Sequence, residues 1–434
     1  MRRALALAVL ALLAAAPAAG AARRAPCTES GGKPLCTFKD VRATFIADGD
    51  TIRVREGGRI RTIRFTGINA MELTRYSKYP SRRRGACHGL EATALVERAV
   101  RASHWRVRLA AQRQSSHSRH RERRSVWVRT GGRWHDLGRM VIARGLALWL
   151  PNGIETAHNR EYLALAEQAA AAGKGLYDPA SCGAGPDQDF PIDVSVNWDA
   201  DGDDASNLNG EWVEVHNGSS RPLDLSGWWV RDSWLRYGRG HVPGYRFEAG
   251  TSLAPGATLR VHAGCGADTA AEKHWCQKGA VFENAVGGMG DGGYLFDPGG
   301  DLRAHSIYPC VVACADPLAG RVRVTAHPSR PESIAIENTS GGPVDLGGHL
   351  VKLHLYGRPD AFVFGYPFEP GTVLRPGETM RVLPQGSRDD DTALVRHLDR
   401  PDYAMPDGRG SVSLRTATDI VTGCAAWGGG SCGG

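Results

Sequence analysis

A block of twelve residues in the second half of the chain occurs twice. Tyr245-Arg-Phe-Glu-Ala-Gly-Thr-Ser-Leu-Ala-Pro-Gly256 recurs as Tyr366-Pro-Phe-Glu-Pro-Gly-Thr-Val-Leu-Arg-Pro-Gly377, at an offset of 121. Asn217 and Asn338, Asp224 and Asp345, and Leu225 and Leu346 keep that same offset of 121. A register held over so many positions indicates duplication of one unit, each copy burying its own core. Short alternating runs such as Trp212-Val213-Glu214-Val215 and Leu259-Arg260-Val261, punctuated by Pro-Gly turns, predict an all-β sandwich for each copy. The two sandwiches should span 190–310 and 317–423, followed by a Gly-rich tail over 424–434.

The first half carries a different pattern. Alternating apolar residues surround two polar stretches: Phe45 and Ile46, then Ile52 and Val54, then Ile60, Ile63 and Phe65. They predict adjacent antiparallel strands joined at Gly57-Gly58. Such strands bring the Asp48-Gly49-Asp50-Thr51 turn beside the run from Arg64 to Glu72. A carboxylate, a guanidinium and a second carboxylate in one cleft are what phosphodiester hydrolysis requires: a cation or arginines for the charge at phosphorus, and a base for the water. Singly, each residue has a plainer reading: Asp50 caps a turn, Arg64 is a solvated strand charge, and Glu72 is a surface acid.

In order and spacing, residues 38–182 resemble the thermonuclease (staphylococcal nuclease-like) domain. The resemblance is carried by Asp48-Gly49-Asp50-Thr51, by Arg64-Phe65-Thr66-Gly67-Ile68-Asn69-Ala70-Met71-Glu72 and by the strand Arg123 to Val128. Asp136-Leu137-Gly138 through Gly145-Leu146-Ala147, and a helix from Tyr162 to Gly175 ending in Gly-Leu-Tyr, complete it. It implies a five-stranded barrel of oligonucleotide-binding type with packed helices. It also implies calcium held by Asp50, Asn69 and the Ala70 carbonyl, Glu72 as the base, and Arg64 and Arg123 as phosphate-binding groups. Asn69 stands where the family has a second carboxylate and Ala70 where it usually has Thr, which lowers the negative charge available to the ion. Arg121, Arg124 and Arg83, from neighbouring arginine-rich stretches, are candidate substrate contacts, with a solvated loop as the plainer reading.

The first sandwich resembles the lamin-tail domain, an immunoglobulin-like sandwich, through Asn209-Gly210-Glu211-Trp212-Val213-Glu214-Val215, Asn217, Asp224-Leu225-Ser226-Gly227-Trp228 and Gly290-Asp291-Gly292. In the second copy His349 stands at the position of the tryptophan, so that copy rests on the internal repeat. By analogy the sandwiches offer contact with a cell surface or extracellular matrix. Asp199-Ala200-Asp201-Gly202-Asp203-Asp204 has the start of a calcium loop but lacks its sixth-position glycine, and reads otherwise as an acidic interdomain loop. Trp228, Trp229 and Trp234 are either an exposed binding strip or sandwich core.

Charge separates the two halves. Residues 37–182 hold 27 lysines and arginines against 13 acids, a balance of +14, whereas residues 183–434 hold 21 against 32, a balance of −11. The basic half should attract polyanions, DNA and RNA foremost, with marked salt dependence. Residues 1–22, with Arg2-Arg3, an apolar run and small residues, read as a cleaved export signal, and 23–37 as a short N-terminal segment. Ten cysteines in an exported chain predict disulfides, with Cys27–Cys36, Cys265–Cys276 and Cys87–Cys182 as the local choices and Cys310, Cys314, Cys424 and Cys432 unordered. No later apolar run is long enough to span a membrane. The expectation is a mainly β, secreted, calcium-dependent nuclease of low sequence specificity. The alternative is a catalytically impaired polyanion-binding or surface-adhesion protein.

Overall fold

The computed structural model describes residues 23–432, apart from 184, 186–187, 189, 202–203, 236–242, 286–288, 355–363 and 401–403. The export-signal reading at 1–22 lies outside the described residues. The architecture is mainly β, a closed five-stranded barrel with packed helices followed by two sandwiches.

Barrel closure follows from two long strands that each pair on both sides. Leu35–Ile46 pairs with Thr51–Glu56 and, at its other edge, with Arg106–Ala111. Arg121–Thr130 pairs antiparallel with Arg106–Ala111 and parallel with Arg59–Phe65. Thr51–Glu56 and Arg59–Phe65 form the hairpin predicted at Gly57-Gly58, and complete the circuit. Closure leaves no barrel edge exposed. Inward residues Ile46, Ile52, Val54, Ile63, Phe65, Val107, Val126 and Val128 are buried, and helices Cys87–Ala102, Leu137–Ile142 and Asn159–Ala171 cover the barrel with Val96, Val100, Val141 and Leu163. The last helix begins three residues before the predicted start at Tyr162 and ends before Gly173, with Gly175–Tyr177 forming a separate 3₁₀ turn.

Both sandwiches repeat one topology. In the first, Ile192–Asn197, Trp212–Asn217, Thr258–His262 and Glu272–His274 form one sheet, and Tyr245–Arg246, Trp229–Arg231, Asp291–Phe296 and Leu302–Tyr308 the other. The second reproduces both sheets in the same order, from Val322–His327 to Val421–Trp427. The repeat extends to a hydrogen-bonded pin. Asn217 Nδ2 donates to the carbonyls of Arg221 and Leu253, and its Oδ1 accepts from the N–H and hydroxyl of Ser219. At the offset of 121, Asn338 Nδ2 donates to Gly342 and Leu374, and its Oδ1 accepts from Ser340. The asparagine is what satisfies several buried backbone groups at once, which explains why that residue stands in both copies.

The three units are packed together. Tyr294, Phe296, Leu302 and Ile307 of the first sandwich join the core cluster of the barrel, where Leu176 and Tyr177 meet them. Glu167, on the last barrel helix, accepts the N–H groups of Val311 and Val312 in the connection between the sandwiches. The acidic stretch ties the sandwiches to one another. Asp199 accepts from the buried Lys352 ammonium at 2.7 Å, and Asp201 accepts from the Gly365 N–H at 2.7 Å. Of the expected calcium-loop residues, Gly202 and Asp203 lie outside the described residues.

All ten cysteines are paired, as Cys27–Cys36, Cys87–Cys182, Cys265–Cys276, Cys310–Cys314 and Cys424–Cys432. Five disulfides fit an oxidising environment. No helix among the described residues is long and apolar enough to cross a membrane. Asn338→Ala, which leaves the Gly342 and Leu374 carbonyls without their donor, should destabilise the second sandwich by about 2–4 kcal/mol, read as a lowered urea midpoint for that unit against the parent chain.

Candidate functional site

The Asp-Gly-Asp turn is set by a close approach to a helix. A Cβ on Gly49 would lie 2.5 Å from the Ala92 Cβ and 2.8 Å from the Ala70 Cβ, so only glycine lets the turn seat between the helix and the strand Ile68–Ala70. Thr51 pairs with Arg64 in the hairpin, and Arg64 pairs with Arg123 across the parallel junction. The three predicted groups from three strands are thereby neighbours. Asn69 is delivered by its pairing with Leu148.

Arg64 is the centre of the cluster. Its guanidinium lies 2.5 Å from Asp50 Oδ2 and donates to Asn69 Oδ1 at 3.0 Å. Asp50 also accepts from the Ala70 N–H at 2.8 Å and the Thr51 hydroxyl at 2.8 Å, and its own N–H donates to Asp48 at 3.1 Å. Asp48, Asp50, Arg64, Asn69 and Ala70 are all buried. Burial and the adjacent Asp50 push the Asp48 carboxyl up to about 8. Glu72 lines the same cleft at its solvent edge, and burial together with Asp50 raises its pKa while Arg64, Arg121 and Arg231 oppose the rise.

The cleft encloses about 270 Å³ between Arg64, Asn69, Glu72, Arg121, Arg123 and residues of the first sandwich. Arg121 donates to the Thr51 hydroxyl at 3.3 Å. Burial and the neighbouring guanidinium groups lower the pKa of Arg121 and of Arg123, with Asp50 and Asp48 opposing the shift at Arg121 and Glu155 at Arg123. Guanidinium groups lining one cleft create a potential that favours anions.

Two candidate substrate contacts lie elsewhere. Arg124 projects from the opposite side of its strand to Arg123 and is buried, donating to the carbonyls of Gln114 and Ser116 and to Glu122 at 2.9 Å. Arg83 is also buried, paired with Glu97 at 2.7 Å and bonded to the Ser77 carbonyl, so it ties the 77–84 loop to a helix. Neither lines the cleft. The period of two in a strand groups Arg121 with Arg123 and sets Arg124 apart.

Tyr76, an exposed residue just before the 77–84 loop, stands near Glu72, and burial with that carboxylate pushes its phenol to about 12. The more consequential unpredicted residues come from the sandwich. Ser233 O accepts from Asn69 Nδ2 at 2.7 Å, and Trp234 and Leu235 line the cleft. The three tryptophans do not form one strip: Trp228 is core, Trp229 stacks on Phe296, and only Trp234 faces the cleft.

A second cluster has the composition of a nucleophile triad. Ser125 Oγ is 2.7 Å from His158 Nε2, and His158 Nδ1 is 3.5 Å from Asp136 Oδ2. All three side chains are buried within the barrel–helix contact, Asp136 caps the helix at Gly138, and Tyr162 donates to it at 2.5 Å. A hydroxyl sealed in packing has no substrate to attack, so this network holds the last helix to the barrel.

In the comparisons with known proteins, residues 193–309 match the family model for the lamin tail domain. The first sandwich is therefore a lamin-tail, immunoglobulin-like unit. The match includes none of the barrel. A search of curated proteins returns no match.

The buried triad generates a pH test. Burial raises Asp136 to about 7, so the native state keeps a proton that the unfolded chain releases, and this contribution is lost as pH rises from about 4 to 7. Burial lowers His158 to about 4, so its contribution is lost as pH falls from about 6.5 to 4. The two slopes oppose one another in the shared window. Asp136→Asn removes the first, so its stability relative to the parent chain should rise by on the order of 2–3 kcal/mol between pH 4 and 6.5, followed by urea unfolding. His158→Phe should tilt the profile the other way.

Proposed function

We propose that the chain is a secreted, metal-dependent nuclease that hydrolyses phosphodiester bonds of DNA, and of RNA as well, with little sequence preference. The observation that carries this reading is the Arg64 guanidinium held between Asp50 and Asn69, with Glu72, Arg121 and Arg123 in the same cleft. The charge balance of +14 over residues 37–182 favours a polyanionic substrate.

The donor set suits a hard cation. Burial and the neighbouring Asp50 carboxylate raise the pKa of both Asp48 and Glu72, a concentration of negative charge that an oxygen-seeking cation would relieve. Asp50, Asn69 and the Ala70 carbonyl would hold calcium, which supplies charge neutralisation at the phosphate oxygens. Glu72 takes the proton of the attacking water, and water oxygen bonds to phosphorus. The P–O5′ bond breaks with its electron pair leaving on the 5′-oxygen, which is protonated from solvent, and the phosphate stays on the 3′ side. Arg64 and Arg123 hold the phosphate oxygens as negative charge accumulates. The raised pKa of Glu72 makes its carboxylate a stronger proton acceptor than an ordinary surface glutamate.

One observation favours a second reading. Arg64 occupies Asp50 and Asn69 together, and Asn69 lacks the charge of a carboxylate, as expected of a barrel that binds polyanions without cleaving them. The two readings separate on single variants. Glu72→Gln should lower kcat/KM for single-stranded DNA by on the order of 10²–10⁴, and Arg64→Lys by about 10²–10³. Cleavage at parental rates in both variants would contradict the nuclease reading.

A further inference from the structure

The first sandwich does more than abut the barrel, because its turn after Trp229–Arg231 is built into the cleft wall. Ser233 O accepts from both Asn69 Nδ2 at 2.7 Å and Arg231 at 3.1 Å. The Ser233 N–H donates to the buried Asp291 carboxylate at 3.1 Å, and the Leu235 N–H donates to Asp232 at 2.7 Å. Leu235 takes a left-handed conformation, φ 47°, unusual for a residue with a side chain. The turn is pinned from both ends in this conformation, and what it presents is Trp234.

Asn69 is what makes the connection. Its amide donates to the Ser233 carbonyl while its oxygen accepts from Arg64, two roles that a carboxylate at position 69 cannot fill together. The departure from the family pattern thus coincides with the attachment of the second domain to the site. Trp234 is half-buried, and the Arg123 guanidinium lies 5.7 Å from its ring centroid. Its indole N–H is buried with no partner among the described residues. With the indole in place the cleft still encloses about 270 Å³, so the ring forms a wall of the space and does not fill it. A flat apolar ring beside a phosphate-binding guanidinium is the arrangement by which proteins hold single-stranded nucleic acid, charge for the backbone and an aromatic face for the base.

We propose that Trp234 is a substrate-positioning residue, supplied by the lamin-tail sandwich, on which an unpaired nucleobase next to the bound phosphate stacks. The inference rests on the nucleic-acid reading of the cleft, but not on cleavage. It gives the cleft a preference for single strands over duplexes, because a paired base is already stacked.

The test uses the full oxidised chain in chelator, so that no cleavage interferes, and fluorescence anisotropy of a labelled single-stranded oligonucleotide against the same strand with abasic sugars throughout. Trp234→Ala should weaken binding of the base-bearing strand about tenfold. Trp234→Phe should recover most of the loss, and the abasic strand should bind the parent chain and Trp234→Ala alike, which also shows that the cleft remains folded. Equal or tighter binding of the base-bearing strand by Trp234→Ala overturns the proposal, the tighter result meaning that the turn obstructs the cleft. No binding of either strand by the parent chain overturns it too. Cleavage by the parent chain in calcium is scored separately. Trp234-dependent binding without cleavage sinks the nuclease reading alone, and cleavage with Trp234-independent binding sinks this inference alone.

Discussion

A buried guanidinium needs compensating partners, and the two given to Arg64 organise the molecule. Asp50 supplies the charge, Asn69 supplies an acceptor, and each is in turn fixed by backbone: Asp50 by the Ala70 N–H, Asn69 by the Ser233 carbonyl. Removing one member of such a buried pair leaves an uncompensated charge, a loss of about 3–5 kcal/mol. The chain of contacts begins in a barrel hairpin and ends in the neighbouring sandwich. The cleft is therefore a property of two domains.

Apolar packing makes that junction firm. Tyr294, Phe296, Leu302 and Ile307 continue the barrel core, and Glu167 clamps the connection to the second sandwich. The buried Lys352–Asp199 pair then joins the sandwiches to one another. Electrostatics act in the opposite sense. Packing joins the units whereas charge sets them apart, with a balance of +14 over residues 37–182 and −11 over residues 183–434, so positive potential is concentrated on the barrel.

Local patterns were legible in the sequence and long-range contacts were not. The hairpin at Gly57-Gly58, the duplicated sandwich and the Cys27–Cys36 and Cys265–Cys276 disulfides followed from periodicity, repeat register and short spacing. The meeting of Asp50 with Arg64, and of Arg64 with Glu72 in one cleft, followed from strand adjacency. Arg83 and Arg124 looked like substrate contacts because a charge run does not say which member is neutralised. Burial beside Glu97 and Glu122 decides that, though strand alternation already separated Arg124 from Arg121 and Arg123. Trp234 stands 165 residues after Asn69, and no local rule brings residues so distant together. Its place depends on how the sandwich docks, which is a property of the shared core.

Cleavage of nucleic acid at the Arg64 cleft is the central proposal. The measurement is degradation of single- and double-stranded DNA by the oxidised chain freed of residues 1–22, with calcium, with magnesium and with chelator. Calcium-dependent cleavage that chelator abolishes is the predicted result. Salt-sensitive DNA binding with no cleavage under either ion would contradict it, and would leave the barrel as a binding module whose metal-site carboxylate has given way to Asn69.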